Sequence, residues 1–213
     1  SLELQNFKDA GFFDEVTESD SISGLDLDLM NDINQNNYME FCQKAVASGK
    51  KNLVIAGATG SGKTTFMKAL INEIPTNERL ITIEDVRELF LTKHPNHVNL
   101  LYPSEQKEDT KIRPDTAVKS CLRMKPDRII LAELRGGEAF DYINAISSGH
   151  GGSITSLHAG SIEQAIRRLT LMVLQNKTGS QLPYETAQSI IVDTIDVFIT
   201  IGKINGKRVI TSL

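Results

Sequence analysis

The sequence predicts an α/β domain: a mainly parallel sheet flanked by helices, plus a C-terminal β-hairpin. Three observations carry this. The octapeptide Gly57-Ala58-Thr59-Gly60-Ser61-Gly62-Lys63-Thr64 fits the phosphate-loop pattern G-x-x-x-x-G-K-[ST], between the apolar run 52–56 and a helical stretch at 66–71. Further short apolar runs alternate with helical patterns, and three of them end in Glu84, Glu133 and His158. Near the end, two β-rich runs flank Asn205-Gly206, the signature of a hairpin with a type I′ turn.

The phosphate loop follows from physical chemistry. Glycines at 57, 60 and 62 let successive N–H groups converge on phosphate oxygens. The helix that starts near Lys63 points its unpaired N–H groups and positive dipole end at the same anion. The motif assigns residues 58–65 (Ala58, Thr59, Gly60, Ser61, Gly62, Lys63, Thr64 and Thr65) to phosphate contact, with Lys63 at the β- and γ-phosphates and the Thr64 hydroxyl on Mg²⁺.

Composition bounds the rest. The chain has 213 residues, enough for one large α/β domain or one domain and a small appendage. A formal charge of −4 and no basic stripe give no case for direct nucleic-acid contact. Cys42 and Cys121 are isolated, so neither a disulfide framework nor a cysteine zinc site is indicated. No apolar run approaches the roughly 18 residues needed to span a bilayer. The chain begins Ser1-Leu2 and ends in a strand, which reads as a fragment of a longer protein.

In chain order, residues 1–36 read as a tail and linker with short helical pieces, carrying an apolar cluster at Phe7, Phe12 and Phe13 and a solvated acidic stretch from Asp14 to Asp20. Residues 37–213 form the main domain. Tyr38, Phe41, Cys42, Ala45 and Val46 share one face of a helix over 38–48, started by Asn37 and Glu40 and closed by Gly49. Residues 79–83 are a buried strand delivering Glu84 and Asp85 where ligands bind in open α/β sheets. Residues 98–102 read as another strand, 104–115 as an exposed excursion and 117–124 as a short helix. The run Arg128-Ile129-Ile130-Leu131-Ala132-Glu133 has the shape of a Walker B strand, with a glutamate as the terminal acid. After a helix over 138–147 and a glycine turn around His150, residues 153–157 deliver His158. Ser161 and Gln164 then cap an amphipathic helix whose apolar face is Ile162, Ala165, Ile166, Leu169, Met172 and Val173. His94 and His97 read as surface residues.

Four segments together, GATGSGKTT at 57–65, TIEDVREL at 82–89, LRMKPDRIILAELRGGEAFD at 122–141 and SGHGGSITSLHAGS at 148–161, resemble the secretion-ATPase superfamily of type II and type IV secretion and type IV pilus motors. In order they are similar to its Walker A, Asp box, Walker B and His box, and the wording is most similar to the hexameric ATPases of type IV secretion and conjugation. The resemblance implies a RecA-like P-loop NTPase fold, ATP and Mg²⁺ as cofactors, and a hexameric ring at the cytoplasmic face of the inner membrane among other secretion components. It implies that Glu84 polarises the attacking water, Glu133 positions Mg²⁺ or water, and His158 senses the γ-phosphate. Arg113 and Arg123 lie where these motors place arginines that reach a phosphate across a subunit interface. It also implies a nucleotide-covering N-terminal domain, of which residues 1–20 are the tail. The glutamine- and asparagine-rich linker at 31–37 reads as a hinge. The alternatives are a pilus or type II secretion motor, a nucleotide-gated docking subunit with little turnover, and, with less support from charge, a nucleic-acid motor.

Overall fold

The computed structural model describes residues 23–104 and 112–213. The apolar cluster at Phe7–Phe13, the acidic stretch 14–20 and most of the excursion 104–115 lie outside them. The chain divides into two compact units, residues 1–41 and 42–213.

In the first unit, α1 (Gly24–Asn34) starts at Ser23, whose side chain accepts from the Asp26 amide. Residues 31–34, expected to be hinge, are instead the last turn of this helix, and Leu29 and Asp32 are its buried positions. The next helix, α2 (Tyr38–Ala47), buries Phe41, Cys42, Ala45 and Val46 as its periodicity predicts. Tyr38 departs from the expected apolar face. It is 44% exposed, and its hydroxyl donates to Asn36.

The second unit is built on a seven-stranded sheet. The strands are β1 (Leu53–Gly57), β2 (Leu80–Glu84), β3 (His97–Leu101), β4 (Arg128–Leu131), β5 (Ile154–Leu157), β6 (Val197–Ile204) and β7 (Lys207–Ser212), in spatial order β3-β2-β4-β5-β1-β6-β7. The first six are parallel; only β7 runs antiparallel, against β6. Asn205 (φ 51°) and Gly206 (φ 78°) both sit in the left-handed region, as the I′ turn between those two strands requires.

The parallel strands are buried on both faces, which is why they read as near-continuous apolar runs. Alternation sorts their side chains. Val54, Ala56, Ile81, Ile83, Ile129, Leu131 and Leu157 join a core with residues of α4 (Pro114–Cys121), α5 (Glu138–Ser147), α6 (Ile162–Gln175) and α7 (Tyr184–Thr194). Burying such side chains contributes roughly 1.5–3 kcal/mol each. Between β1 and β2 runs α3 (Lys63–Ile71), packed on β1 and β5 with Met67, Leu70 and Ile71 buried. Ser161 caps α6 by accepting from the Gln164 amide, while the Gln164 side chain reaches one residue further back, to the Gly160 amide.

His94 is the clearest departure from expectation. It is 1% exposed, with Nε2 3.0 Å from the Ile74 carbonyl, so it ties the 91–94 turn to the end of the α3 region instead of facing solvent.

Candidate nucleotide site

Because β1, β2, β4 and β5 are parallel, their carboxyl ends lie along one edge of the sheet. The phosphate loop, Glu84-Asp85, Glu133 and His158 therefore meet there despite being up to about a hundred residues apart in sequence. They line one cavity of about 280 Å³, together with Thr59, Gly60, Lys63, Thr64, Arg135 and Ser156.

The loop has the conformation its glycines permit. Gly60 and Gly62 have φ of 72° and 101°, and Gly62 is the residue from which α3 departs. Ala58, Thr59, Gly60 and Thr65 are exposed, whereas Ser61 and Lys63 are buried. Lys63 Nζ donates to the carbonyls of Gly57 (2.9 Å) and Ala58 (3.1 Å) and lies 3.5 Å from His158 Nδ1. Burial lowers the Lys63 pKa below the ordinary lysine value, and the charge of Glu133 pulls the other way.

Glu133 is placed by backbone pairing that continues past β4. Ala132 N donates to Ile83 O, Leu134 N donates to Ser156 O, and Ser156 Oγ donates to Ala132 O at 2.6 Å. Its carboxylate is divided between an arginine and a histidine. Oε2 accepts from Arg135 Nε at 2.7 Å, and Oε1 lies 2.6 Å from His158 Nε2. The histidine nitrogen comes close without forming an aligned hydrogen bond, so Oε1 keeps unfilled acceptor capacity.

Glu84 is fully buried. Oε1 accepts from the amides of Glu88 (3.0 Å) and Leu89 (2.9 Å), and Oε2 from Thr82 Oγ1 (3.2 Å). It braces the segment 85–89 and has no solvent-exposed surface of its own. Asp85 stands more open, with Oδ2 2.6 Å from Arg135 Nη1. Arg135 was not singled out from the sequence, although it follows the strand-end glutamate by two residues in a motif that was.

Arg113 and Arg123 do not line this cavity. Arg113 precedes α4, largely exposed and 3.5 Å from Asp115, and Arg123 is exposed on a 3₁₀ turn. A second cavity, of about 430 Å³, adjoins the other side of the phosphate loop between Thr65, Phe66 and Ala69 of α3 and Arg208, Val209 and Ile210 of β7.

A phosphate loop at the carboxyl edge of a mainly parallel sheet, faced by strand-end carboxylates and a histidine, defines a RecA-like P-loop NTPase domain. The chain belongs to the family described as type II/IV secretion system protein, whose model matches residues 21–199. It is similar to the type IV secretion system protein VirB11 of Brucella suis biovar 1 (strain 1330), 53% identical over 199 residues, which are 92% of this chain and 55% of that protein. It is also similar to PtlH of Bordetella pertussis (strain Tohama I), 46% identical over 169 residues, 79% of this chain and 50% of that protein. Among solved structures, a crystal structure of the Brucella suis VirB11 ATPase in complex with sulphate superposes with a TM-score of 0.89 at 49% identity, covering 100% of this chain and 64% of that one. The chain thus spans about half the length of the curated relatives it matches.

Proposed function

We propose that this chain is the nucleotide-hydrolysing part of a type IV secretion ATPase, Mg²⁺-dependent and working as a homohexameric ring. The observation that carries the reading is the meeting of Lys63, Asp85, Glu133, Arg135 and His158 in one cavity beside the phosphate loop. Phosphoryl transfer needs little covalent chemistry from a protein; fixed charge and positioning supply most of it. The names of the relatives, a VirB11 ATPase among them, support the same reading.

The residues fit Mg²⁺. The ion binds through one or two carboxylates plus substrate phosphates and water, not through a closed protein cage. Among the described residues no cluster of three or more His, Cys, Asp or Glu could hold a metal alone. The cavity instead offers the Thr64 hydroxyl and the Glu133 carboxylate, whose Oε1 is buried with acceptor capacity to spare. Held there, the ion would supply neutralisation of the phosphate charge during transfer.

The chain's own residues divide the remaining work. Loop amides 58–65 take the phosphate oxygens, and Lys63 exchanges the Gly57 and Ala58 carbonyls for the β- and γ-phosphates. His158, between Lys63 and Glu133, senses the γ-phosphate. Glu84 orients the attacking water once the segment 85–89 opens, its carboxylate aimed in advance by two amides. Arg113 and Arg123, outside the cavity of their own chain, act on a neighbouring subunit's nucleotide. The apolar cavity beside Thr65 and Phe66 seats the nucleoside. No helix among the described residues is long and apolar enough to cross a membrane. As part of a secretion system, the chain works as a peripheral component at the cytoplasmic face of the inner membrane, a reading supported by the secretion-system names of its relatives.

The test is steady-state ATP hydrolysis across a protein concentration series, beside Lys63→Ala and Glu84→Gln. Turnover that rises with concentration and is lost in both variants supports the ring motor. Tight Mg²⁺-ATP binding with no turnover at any concentration favours a nucleotide-gated docking subunit, and the same assay on a longer chain with the preceding domain then separates that outcome from a missing domain.

A further inference from the structure

Arg135 is an exposed cation of the site that is held at both its backbone and its side chain. Its backbone is fixed from below: Glu138 Oε1 accepts from the amides of Arg135 (2.6 Å) and Gly136 (2.9 Å), closing the turn that leads into α5. Its guanidinium then spans two strand ends. Nε and Nη2 each lie 2.7 Å from Glu133 Oε2, after β4, and Nη1 lies 2.6 Å from Asp85 Oδ2, after the neighbouring β2. Asp85 is steadied in turn by its Oδ1, which accepts from the Val86 amide at 3.0 Å.

These two carboxylates are also among the hard oxygen donors of the cavity that a hydrated divalent ion would use. A carboxylate oxygen that already accepts from a guanidinium at 2.6–2.7 Å has its charge neutralised and much of its lone-pair density committed. A guanidinium on one oxygen of each carboxylate neutralises the group as a whole, so a divalent ion approaching either oxygen meets a fixed positive charge and a weakened donor. The arginine side chain is nevertheless 52% exposed, so water can rehydrate it when it leaves.

We propose that Arg135 competes with the divalent ion for Glu133 and Asp85, and that the ion displaces it only when it arrives with nucleotide phosphates. The phosphates supply the negative charge that the arginine otherwise balances, and they give the released guanidinium a new partner. Arg135 is thus a positioning residue that makes metal entry conditional on nucleotide. This rests on the nucleotide reading above.

The experiment titrates Mn²⁺ alone, followed by electron paramagnetic resonance, into the wild-type chain, Arg135→Gln and Arg135→Lys, each checked for folding by circular dichroism. Arg135→Gln should bind Mn²⁺ without nucleotide on the order of tenfold more tightly, and Arg135→Lys should stay near wild type because it keeps the charge. A merely structural arginine would not raise metal affinity when removed, so unchanged or weaker Mn²⁺ binding by Arg135→Gln overturns the proposal. Should that variant fail to fold, the wild-type chain decides, with Arg135→Lys used only for assignment. Its Arg135 Nε–H resonance, assigned by its loss in Arg135→Lys, should move with Mg²⁺·ADP and stay in place with ADP alone; no movement with Mg²⁺·ADP overturns the proposal. Shifts of the Gly60 and Gly62 amides on adding ADP without metal test the nucleotide reading separately.

Discussion

Glu78 holds the buried guanidinium of Arg128 with both carboxylate oxygens, Oε2 at 2.6 Å from Nε and Oε1 at 2.8 Å from Nη2. Arg128 opens β4, so the pair sits at the amino edge of the sheet, opposite the phosphate loop. The same guanidinium also donates to the carbonyls of Val46, just before the end of α2, and of Gly152, in the glycine turn before β5. One fully buried cation thereby ties together four segments that are far apart in sequence.

Removing the acid should leave that cation buried and uncompensated. Breaking a buried pair on one side typically costs about 3–5 kcal/mol, and because Glu78 is partly exposed Glu78→Ala should fall near the lower figure. Urea unfolding followed by circular dichroism measures it. Nucleotide affinity of the folded variant should match wild type, since the site lies at the other edge; a loss under about 1 kcal/mol would mean that water already screens the pair.

Glu84 separates bracing from catalysis. Glu84→Gln keeps an oxygen that can accept from the Glu88 and Leu89 amides but removes the negative charge. Turnover should fall by about a hundredfold or more, the range for loss of a positioned acid–base group, while nucleotide affinity stays within about threefold. If turnover holds and the amides of Glu88 and Leu89 instead lose hydrogen-exchange protection, the carboxylate only braces the segment.

What was legible in the sequence was local. The phosphate loop, the strand-end carboxylates, His158 and the Asn205-Gly206 turn each depend on a few consecutive residues, and each announces itself. The Asp85–Arg135–Glu133 bridge does not, because it requires β2 beside β4, an adjacency that chain order conceals. The burial of His94 depends likewise on the distant Ile74 carbonyl, a tertiary contact with no signal around residue 94. Helix α7 went unseen for a third reason: only Ala187, Ile191 and Thr194 are buried along it, and Ile190 and Val192 blur that stripe. Residues 31–34 read as a linker from their polar composition, yet Ser23 caps a helix that runs through them.

The two cysteines make a prediction about pH. Burial pushes both the Cys42 and the Cys121 thiol up to about 11, from 9.0 for a solvated thiol. The unfolded chain therefore ionises first, so the thiol contribution to stability is full below pH 9 and is lost as pH rises through about 11. At pH 8 the native chain should resist iodoacetamide while the urea-unfolded chain labels readily. The stability gap between wild type and a Cys42→Ala/Cys121→Ala variant should shrink between pH 9 and 11, and a constant gap across that window would refute the assignment.

Gly57 and Gly60 are glycine for different reasons, and alanine should tell them apart. A Cβ on Gly57 would sit 2.5 Å from Ser61 Oγ and 2.7 Å from the Ile201 carbonyl of β6, so either the loop or the sheet register must shift. Overpacking of this kind costs about 1–3 kcal/mol, and since the Gly57 carbonyl holds Lys63, nucleotide affinity should fall with it, by about tenfold. A Cβ on Gly60 would meet nothing within 4 Å, so Gly60→Ala pays only for its φ of 72°, about 1–2 kcal/mol of local strain. Isothermal titration with ADP beside thermal unfolding distinguishes the two. Adding Ser61→Gly to Gly57→Ala should recover only part of the loss, because the clash with the Ile201 backbone remains; full recovery would place the whole conflict inside the loop and leave the sheet out of it.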